Sequence, residues 1–277
     1  MKIDAHQHFW KYNEKEFGWM DHKMESLKRN FLPADLQPEL LNAGFEGTIA
    51  VQARQNLDET RWLLNLSSQN QFIKGVVGWV DLRSDQLAGQ LREFASNPKL
   101  VGVRHVIHDE PDDDFMLQPE FLKGIGLLKD FNLTYDILIF PKHLKNTIKF
   151  VQKFPDQLFI LDHMAKPFVH DKKLSPWKEE ITELAKYPNV YCKISGMVTE
   201  ADWHNWKEED FKPYLDVVVK SFGMNRLMVG SDWPVCTVAG SYKKVMDIVK
   251  NYFSRFPEQE QAHVFGMNAK NLYLKKK

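Results

Sequence analysis

Cysteine is scarce in this chain of 277 residues, which has only Cys192 and Cys236. Two thiols cannot build a disulfide framework at this length, so a reducing compartment is expected. Each falls in or just past a strand pattern and reads as a small buried hydrophobe. The sequence has no apolar run near the roughly 20 residues that span a bilayer. Asp4, His6 and His8 interrupt the place where a secretory segment would be apolar. The expectation is a cytoplasmic protein with no membrane partner. An excess of either charge is also missing, since Lys plus Arg and Asp plus Glu both number 37. Nucleic-acid binders usually carry a basic excess or stripe, so no nucleic acid is expected as partner. The basic tail 275–277 reads as a solvated end, and oligomeric state is left open. No glycine-rich phosphate fingerprint follows the first strand pattern, which argues against a dinucleotide cofactor. Linkers, low-complexity tracts and internal repeats beyond the strand–helix rhythm are absent.

What is present is an alternation of short β-rich apolar runs with helical spacing. Strands are expected at Lys2–Ala5, Gly47–Gln52, Ile73–Val80, Leu100–Arg104, Leu133–Phe140, Leu158–Leu161, Val190–Ile194 and Arg226–Val229. Helical patterns between them include Leu57–Gln69, Asp85–Ser96, Pro119–Asp130, His143–Lys153, Pro176–Lys186, Asp210–Phe222 and Tyr242–Tyr252. Strand then helix, repeated eight times, implies parallel strands with crossover helices and a single-domain (β/α)8 barrel over residues 1–277. A doubly wound open sheet is the alternative. The connection from Phe9 to Leu32 is long for its place and rich in aromatics, including Trp10, Tyr12, Phe17 and Trp19. It suits a lid or pocket wall, or simple packing on the barrel rim. The acidic run Asp109 to Asp114 reads mainly as a solvated loop after the fourth strand.

Active sites of such barrels lie at the C-terminal ends of the strands. His6 and His8 end the first strand and, two residues apart, share a face. Gln52 and Arg54 end the second, Arg104 and His105 the fourth, Asp162 and His163 the sixth, Lys193 and Ser195 the seventh, and Asp232 the eighth. Each has an ordinary reading by itself. A single histidine is more often hydrogen-bonded structure than ligand, which is the reading for His105, His108 and His170; Asp232 could cap a helix, and Arg104 could pair with the acidic loop. One rim hosting all of them by accident is harder to accept. Two converging imidazoles are half of a metal site, or a pair of donors aimed at one substrate oxygen.

Six stretches together resemble the amidohydrolase superfamily, in its branch of sugar-lactone hydrolases. They are Asp4-Ala5-His6-Gln7-His8-Phe9-Trp10, Val76 to Leu82, Gly102-Val103-Arg104-His105, Leu161 to Pro167, Cys192 to Gly196, and Gly230-Ser231-Asp232-Trp233-Pro234. Within the branch the chain is most similar to hydrolases of L-fuconolactone and L-rhamnonolactone, and Met197 to Trp203 fits the former type. The resemblance implies hydrolysis of a sugar aldonolactone, with L-fuconolactone the expected substrate. It also implies a pocket able to hold one divalent ion, such as Zn²⁺, on His6, His8, His163 and Asp232. Members of the superfamily often place a lysine at the end of the fourth strand to bridge two metals. Arg104 stands there instead, and a permanent cation cannot ligate, so a two-metal centre is not expected.

For this chemistry Asp232 is the expected general base. His163 and Arg104 complete the expected catalytic set. Zn²⁺ on the histidines would activate the water. Without metal, the imidazoles and Arg104 would act as donors to the developing oxyanion. Arg54, Lys193, Trp10 and Trp233 are the expected substrate-binding residues, with Trp19 a further apolar face. Superfamily resemblance also allows a decarboxylase, and a sugar-acid binding protein with a dead site is a third reading.

Overall fold

Strand and helix alternate as the apolar pattern predicts. The computed structural model describes residues 1–274, so the tail 275–277 lies outside the described residues. Eight strands form one parallel sheet in sequence order. They are β1 (Ile3–Gln7), β2 (Gly47–Val51), β3 (Ile73–Gly78), β4 (Leu100–Val106), β5 (Thr134–Leu138), β6 (Phe159–Leu161), β7 (Val190–Ile194) and β8 (Leu227–Val229). The crossover helices are α1 (Pro33–Asn42), α2 (Leu57–Gln69), α3 (Leu87–Ala95), α4 (Pro119–Leu128), α5 (Leu144–Gln152), α6 (Trp177–Leu184) and α7 (Glu208–Phe222). After β8 come α8 (Tyr242–Phe253), α9 (Glu258–Ala262) and α10 (Asn268–Tyr273). No helix among the described residues is long and apolar enough to cross a membrane.

The sheet curls until its edges meet. Gln7 bridges Trp233 in parallel sense, His8 N donates to Trp233 O at 2.7 Å, and Asp232 N donates to His6 O at 2.8 Å. Gly230 makes this closure possible, because a Cβ there would stand 2.6 Å from His6 Cβ and 2.9 Å from His6 N. An open doubly wound sheet is thereby excluded.

Two apolar layers hold the barrel. The larger packs the helices on the outside of the strands. The smaller fills the lower interior with Ile3, Ile49, Val77, Val101, Ile160 and Met228, and α10 covers it with Ala269, Leu272 and Tyr273. Each fully buried aliphatic side chain contributes about 1.5–3 kcal/mol of transfer free energy. Above this plug the interior turns polar, and there the strand ends deliver their side chains. Cys192 and Cys236 are buried and unpaired, as expected of small hydrophobes.

The long connection after β1 is pinned at its base, where Trp10 and Phe31 exchange backbone hydrogen bonds of 3.0 and 2.9 Å. It carries a short 3-10 turn, His22–Leu27. The acidic loop after β4 is largely tied down. Asp113 pairs with Lys142 at 2.6 Å and His143 at 3.2 Å, and Asp114 accepts from Asn146.

Candidate active site

β1 does not alternate strictly. Its pairing with β2 runs Asp4 to Thr48 and then Gln7 to Ala50, three residues against two, which is a one-residue bulge. Strict alternation would put Asp4 and His6 on one face. Instead Asp4 points toward α8, where Tyr242 Oη donates to it at 3.0 Å, while His6 turns into the barrel. His6 and His8 then converge, with their Nε2 atoms 3.2 Å apart. His8 Nδ1 lies 2.8 Å from Val51 O, so this nitrogen donates to the carbonyl and Nε2 carries the free lone pair.

Asp232 arrives from β8 in a left-handed conformation, φ 58°. Its Oδ1 is 3.3 Å from His8 Nε2 and 3.8 Å from His6 Nε2 and from His163 Nε2. Burial alone would raise its pKa. Its close contacts with the His163 and His8 imidazoles outweigh this and hold it below the usual carboxylate value. Burial also keeps His6 and His163 well below the usual histidine value, so both are neutral at pH 7.

His163 begins a run of four left-handed residues, His163, Met164, Ala165 and Lys166, with φ between 52° and 58°. Each costs roughly 1–2 kcal/mol in this conformation. Lys166 N donates to His163 O at 2.8 Å, Trp177 Nε1 donates to Met164 O at 2.7 Å, and Ser195 Oγ contacts His163 Nδ1 at 2.8 Å. Those bonds, and packing of the buried Met164 and Ala165, keep the turn in place.

Below lies a buried charge network. Arg104 Nη1 donates to Asp162 Oδ2 at 3.0 Å and approaches His6 Nε2 at 3.2 Å, while Nη2 donates to Gln52 Oε1 at 3.0 Å. Lys193 Nζ meets Asp136 at 2.6 Å, Asp162 at 3.0 Å and His6 Nδ1 at 3.3 Å. Burial would raise the Asp162 carboxyl, but Lys193, His6 and Arg104 hold it well below its usual value.

His8, Arg104, His163 and Asp232 open into one cavity of about 360 Å³, with Trp10, Trp19 and Trp203 among its walls. The other expected binding residues lie elsewhere. Lys193 is fully buried beneath His6, its ammonium committed to two carboxylates. Arg54 ties Glu16 of the long connection, at 2.6 Å, to Glu59 of α2, at 3.4 Å. Trp233 packs edge-on against Phe9 and Phe31 and backs the wall without lining it. Strand-end positions do not point to His108, Lys166, Glu200 or Trp203, yet these line the cavity. His108 stacks on Phe140, and burial together with Lys166 and Arg104 pushes it down to about 2.

The donor set fits a zinc ion. Zinc bonds of about 2.0–2.1 Å at tetrahedral angles put ligand atoms roughly 3.3–3.4 Å apart. The edges of the His6–His8–Asp232 triangle are 3.2, 3.3 and 3.8 Å. Three neutral or anionic ligands with a fourth position open is the pattern of a catalytic site. His163 groups instead with His6 and Asp162, a second trio. Lys193 and Arg104 both pair with Asp162, the carboxylate of that trio, which disfavours a further cation there.

Comparison with known proteins agrees with this architecture. The amidohydrolase family model matches residues 3–275. The chain is 38% identical to an L-fucono-1,5-lactonase of Burkholderia multivorans, over 99% of this chain and 96% of that one. It is 36% identical to an L-fucono-1,5-lactonase of Burkholderia ambifaria, over 98% and 95%. A crystal structure of a Burkholderia multivorans amidohydrolase with bound zinc superposes with a TM-score of 0.96 at 37% identity, covering 100% of both chains. A (β/α)8 barrel whose strand ends gather His6, His8, His163 and Asp232, matched end to end, belongs to the amidohydrolase family.

Proposed function

We propose that this protein hydrolyses the ester bond of a sugar aldonolactone, L-fucono-1,5-lactone or a close relative, to the aldonic acid. The observation that carries the reading is an ionised Asp232 facing the Nε2 atoms of His6 and His8 at the floor of a 360 Å³ cavity. The lactonase names of two full-length relatives support the reaction class and the six-membered ring. They favour ester hydrolysis over decarboxylation. The Asp232 carboxyl set against two converging imidazole nitrogens favours turnover over a dead binding site.

His6, His8 and Asp232 would hold the ion, with His163 at the edge of the same site. A bound zinc would acidify a water and polarise the lactone carbonyl. Asp232 accepts the proton of the attacking water and returns it to the ring oxygen as the C–O bond breaks. The acid formed ionises at neutral pH and releases one proton per turnover. Arg104 has both terminal nitrogens engaged, so it acts as a fixed positive charge near the developing oxyanion. Trp10 and Trp19 offer apolar faces to the sugar ring. A cytoplasmic setting accompanies this reading, supported by the two buried, unpaired thiols.

The test is an indicator assay over a panel of sugar lactones, with and without a chelator. Proton release from L-fucono-1,5-lactone that a chelator abolishes and zinc restores is expected. No turnover of any lactone by zinc-loaded protein would overturn the reading.

A further inference from the structure

We propose that Lys166 and Glu200 are the specificity-determining pair of this site and bind two neighbouring hydroxyl groups of the sugar lactone, an inference that rests on the lactonase reading. Lys166 Nζ donates to Glu200 Oε1 at 3.2 Å, and the two side chains are only 19% and 22% exposed. Both line the active-site cavity with His163 and Asp232. The ammonium also sits 5.4 Å from the centroid of the Phe140 ring. On its other side the pair borders a second, more open cavity of about 390 Å³ that reaches Phe168 and His170. It is therefore a partition inside the mouth, unlike a solvated surface bridge.

The backbone gives an independent reason. Lys166 ends the left-handed run that His163 begins. In a turn of about three residues, positions i and i+3 face the same way. His163 and Lys166 are thus presented together to one cavity. Non-glycine residues held in this conformation mark functional constellations more often than loops of no consequence.

The chemistry matches a polyol. An alcohol both donates and accepts, a carboxylate only accepts, and an ammonium only donates. Set side by side, Glu200 and Lys166 complement two adjacent hydroxyls, each through a charge-assisted bond. Trp203, fixed by its Nε1 bond to Thr199 O at 3.0 Å, adds an apolar ring to the same cavity for the C–H face of the sugar. A lactone without hydroxyls would cover this pair and offer it no new partner, which is a strong source of discrimination.

The test compares L-fucono-1,5-lactone with δ-valerolactone, the same six-membered ring bare of hydroxyls. Steady-state kinetics are measured for the wild type, Lys166→Met and Glu200→Gln. Each variant is expected to lower the ratio of kcat/KM, sugar lactone over δ-valerolactone, at least tenfold, mainly through a higher KM for the sugar lactone. A ratio within twofold of wild type in a folded variant overturns the proposal, and so does an equal loss on both substrates. If melting curves show that Lys166→Met does not fold, Glu200→Gln, which keeps the side-chain shape, decides. Wild-type protein inert toward both lactones removes the lactonase reading and this one with it, an outcome distinct from retained turnover at an unchanged ratio.

Discussion

The carboxylate of Asp4 holds Ser231 at two points, accepting from its backbone N at 2.9 Å and from its hydroxyl at 2.6 Å. Through this clamp the first strand fixes the turn that carries Asp232, more than two hundred positions away. Tyr242 Oη supplies a third bond at 3.0 Å. His6 N donates to the same carboxylate at 3.2 Å, so Asp4→Ala would strand four buried donors, and an unsatisfied buried group costs about 1–3 kcal/mol. The variant should lose at least about 3 kcal/mol in denaturant melts and turn over sugar lactone more than tenfold slower. Asp4→Asn, which keeps an acceptor toward Ser231 N, should be milder on both counts. Wild-type stability in Asp4→Ala would show that the clamp is dispensable.

Zinc affinity tests the paired imidazoles without recourse to activity. His6→Ala and His8→Ala should each weaken binding, in competition with a chromogenic chelator, by more than the roughly 10–100-fold that loss of an outer partner costs. One ion per chain is expected for the wild type. Unchanged affinity in both variants would remove these histidines from the ligand set.

Gly196 stands at φ 61°, and a Cβ there would lie 2.6 Å from His163 Nδ1 and 2.8 Å from Cγ. Gly196→Ala must strain the backbone and displace the ring from Ser195. Loss of about 1–3 kcal/mol of stability and a fall in kcat are expected, read by calorimetry and by lactone turnover. A crystal structure of the variant with His163 unmoved would contradict the assignment.

Glu59 provides a pH signature away from the site. Burial raises its pKa to about 7, against the hydrogen bonds and charge of Arg54 that lower it. A folded pKa above the unfolded one means that the native state binds the proton more tightly. Its contribution to stability is full below about pH 4.5 and is lost as pH rises through 7. A tenfold change in proton affinity corresponds to about 1.4 kcal/mol, so the rise from 4.5 to about 7 amounts to roughly 3 kcal/mol. Urea melts from pH 4.5 to 8 should show wild type losing stability relative to Glu59→Gln as pH rises. Parallel curves would mean that Glu59 titrates normally.

The barrel was legible because its period is written in the strand bodies, where apolar runs alternate with helical spacing. The strand edges shifted by a few residues. β5 closes at Leu138, short of the expected Phe140, and β1 continues past Ala5 to Gln7. The convergence of His6 and His8 followed from alternation, but the bulge that turns His6 inward did not, since bulges leave no period in the sequence. Lys193 and Arg54 show a different gap. Cations near a rim look alike in sequence, and only the fold reveals that one serves buried carboxylates and the other anchors a loop. Lys166 reaches the cavity through four left-handed residues that are not glycine, a path that no propensity favours.

Proton release from L-fucono-1,5-lactone by wild type and by Asp232→Asn is the most direct measurement of the central claim. One proton per lactone opened, no carbon dioxide, and a drop in kcat of roughly 10²–10⁴ in a variant of native melting temperature are the predicted result. Equal rates in the two proteins would contradict it.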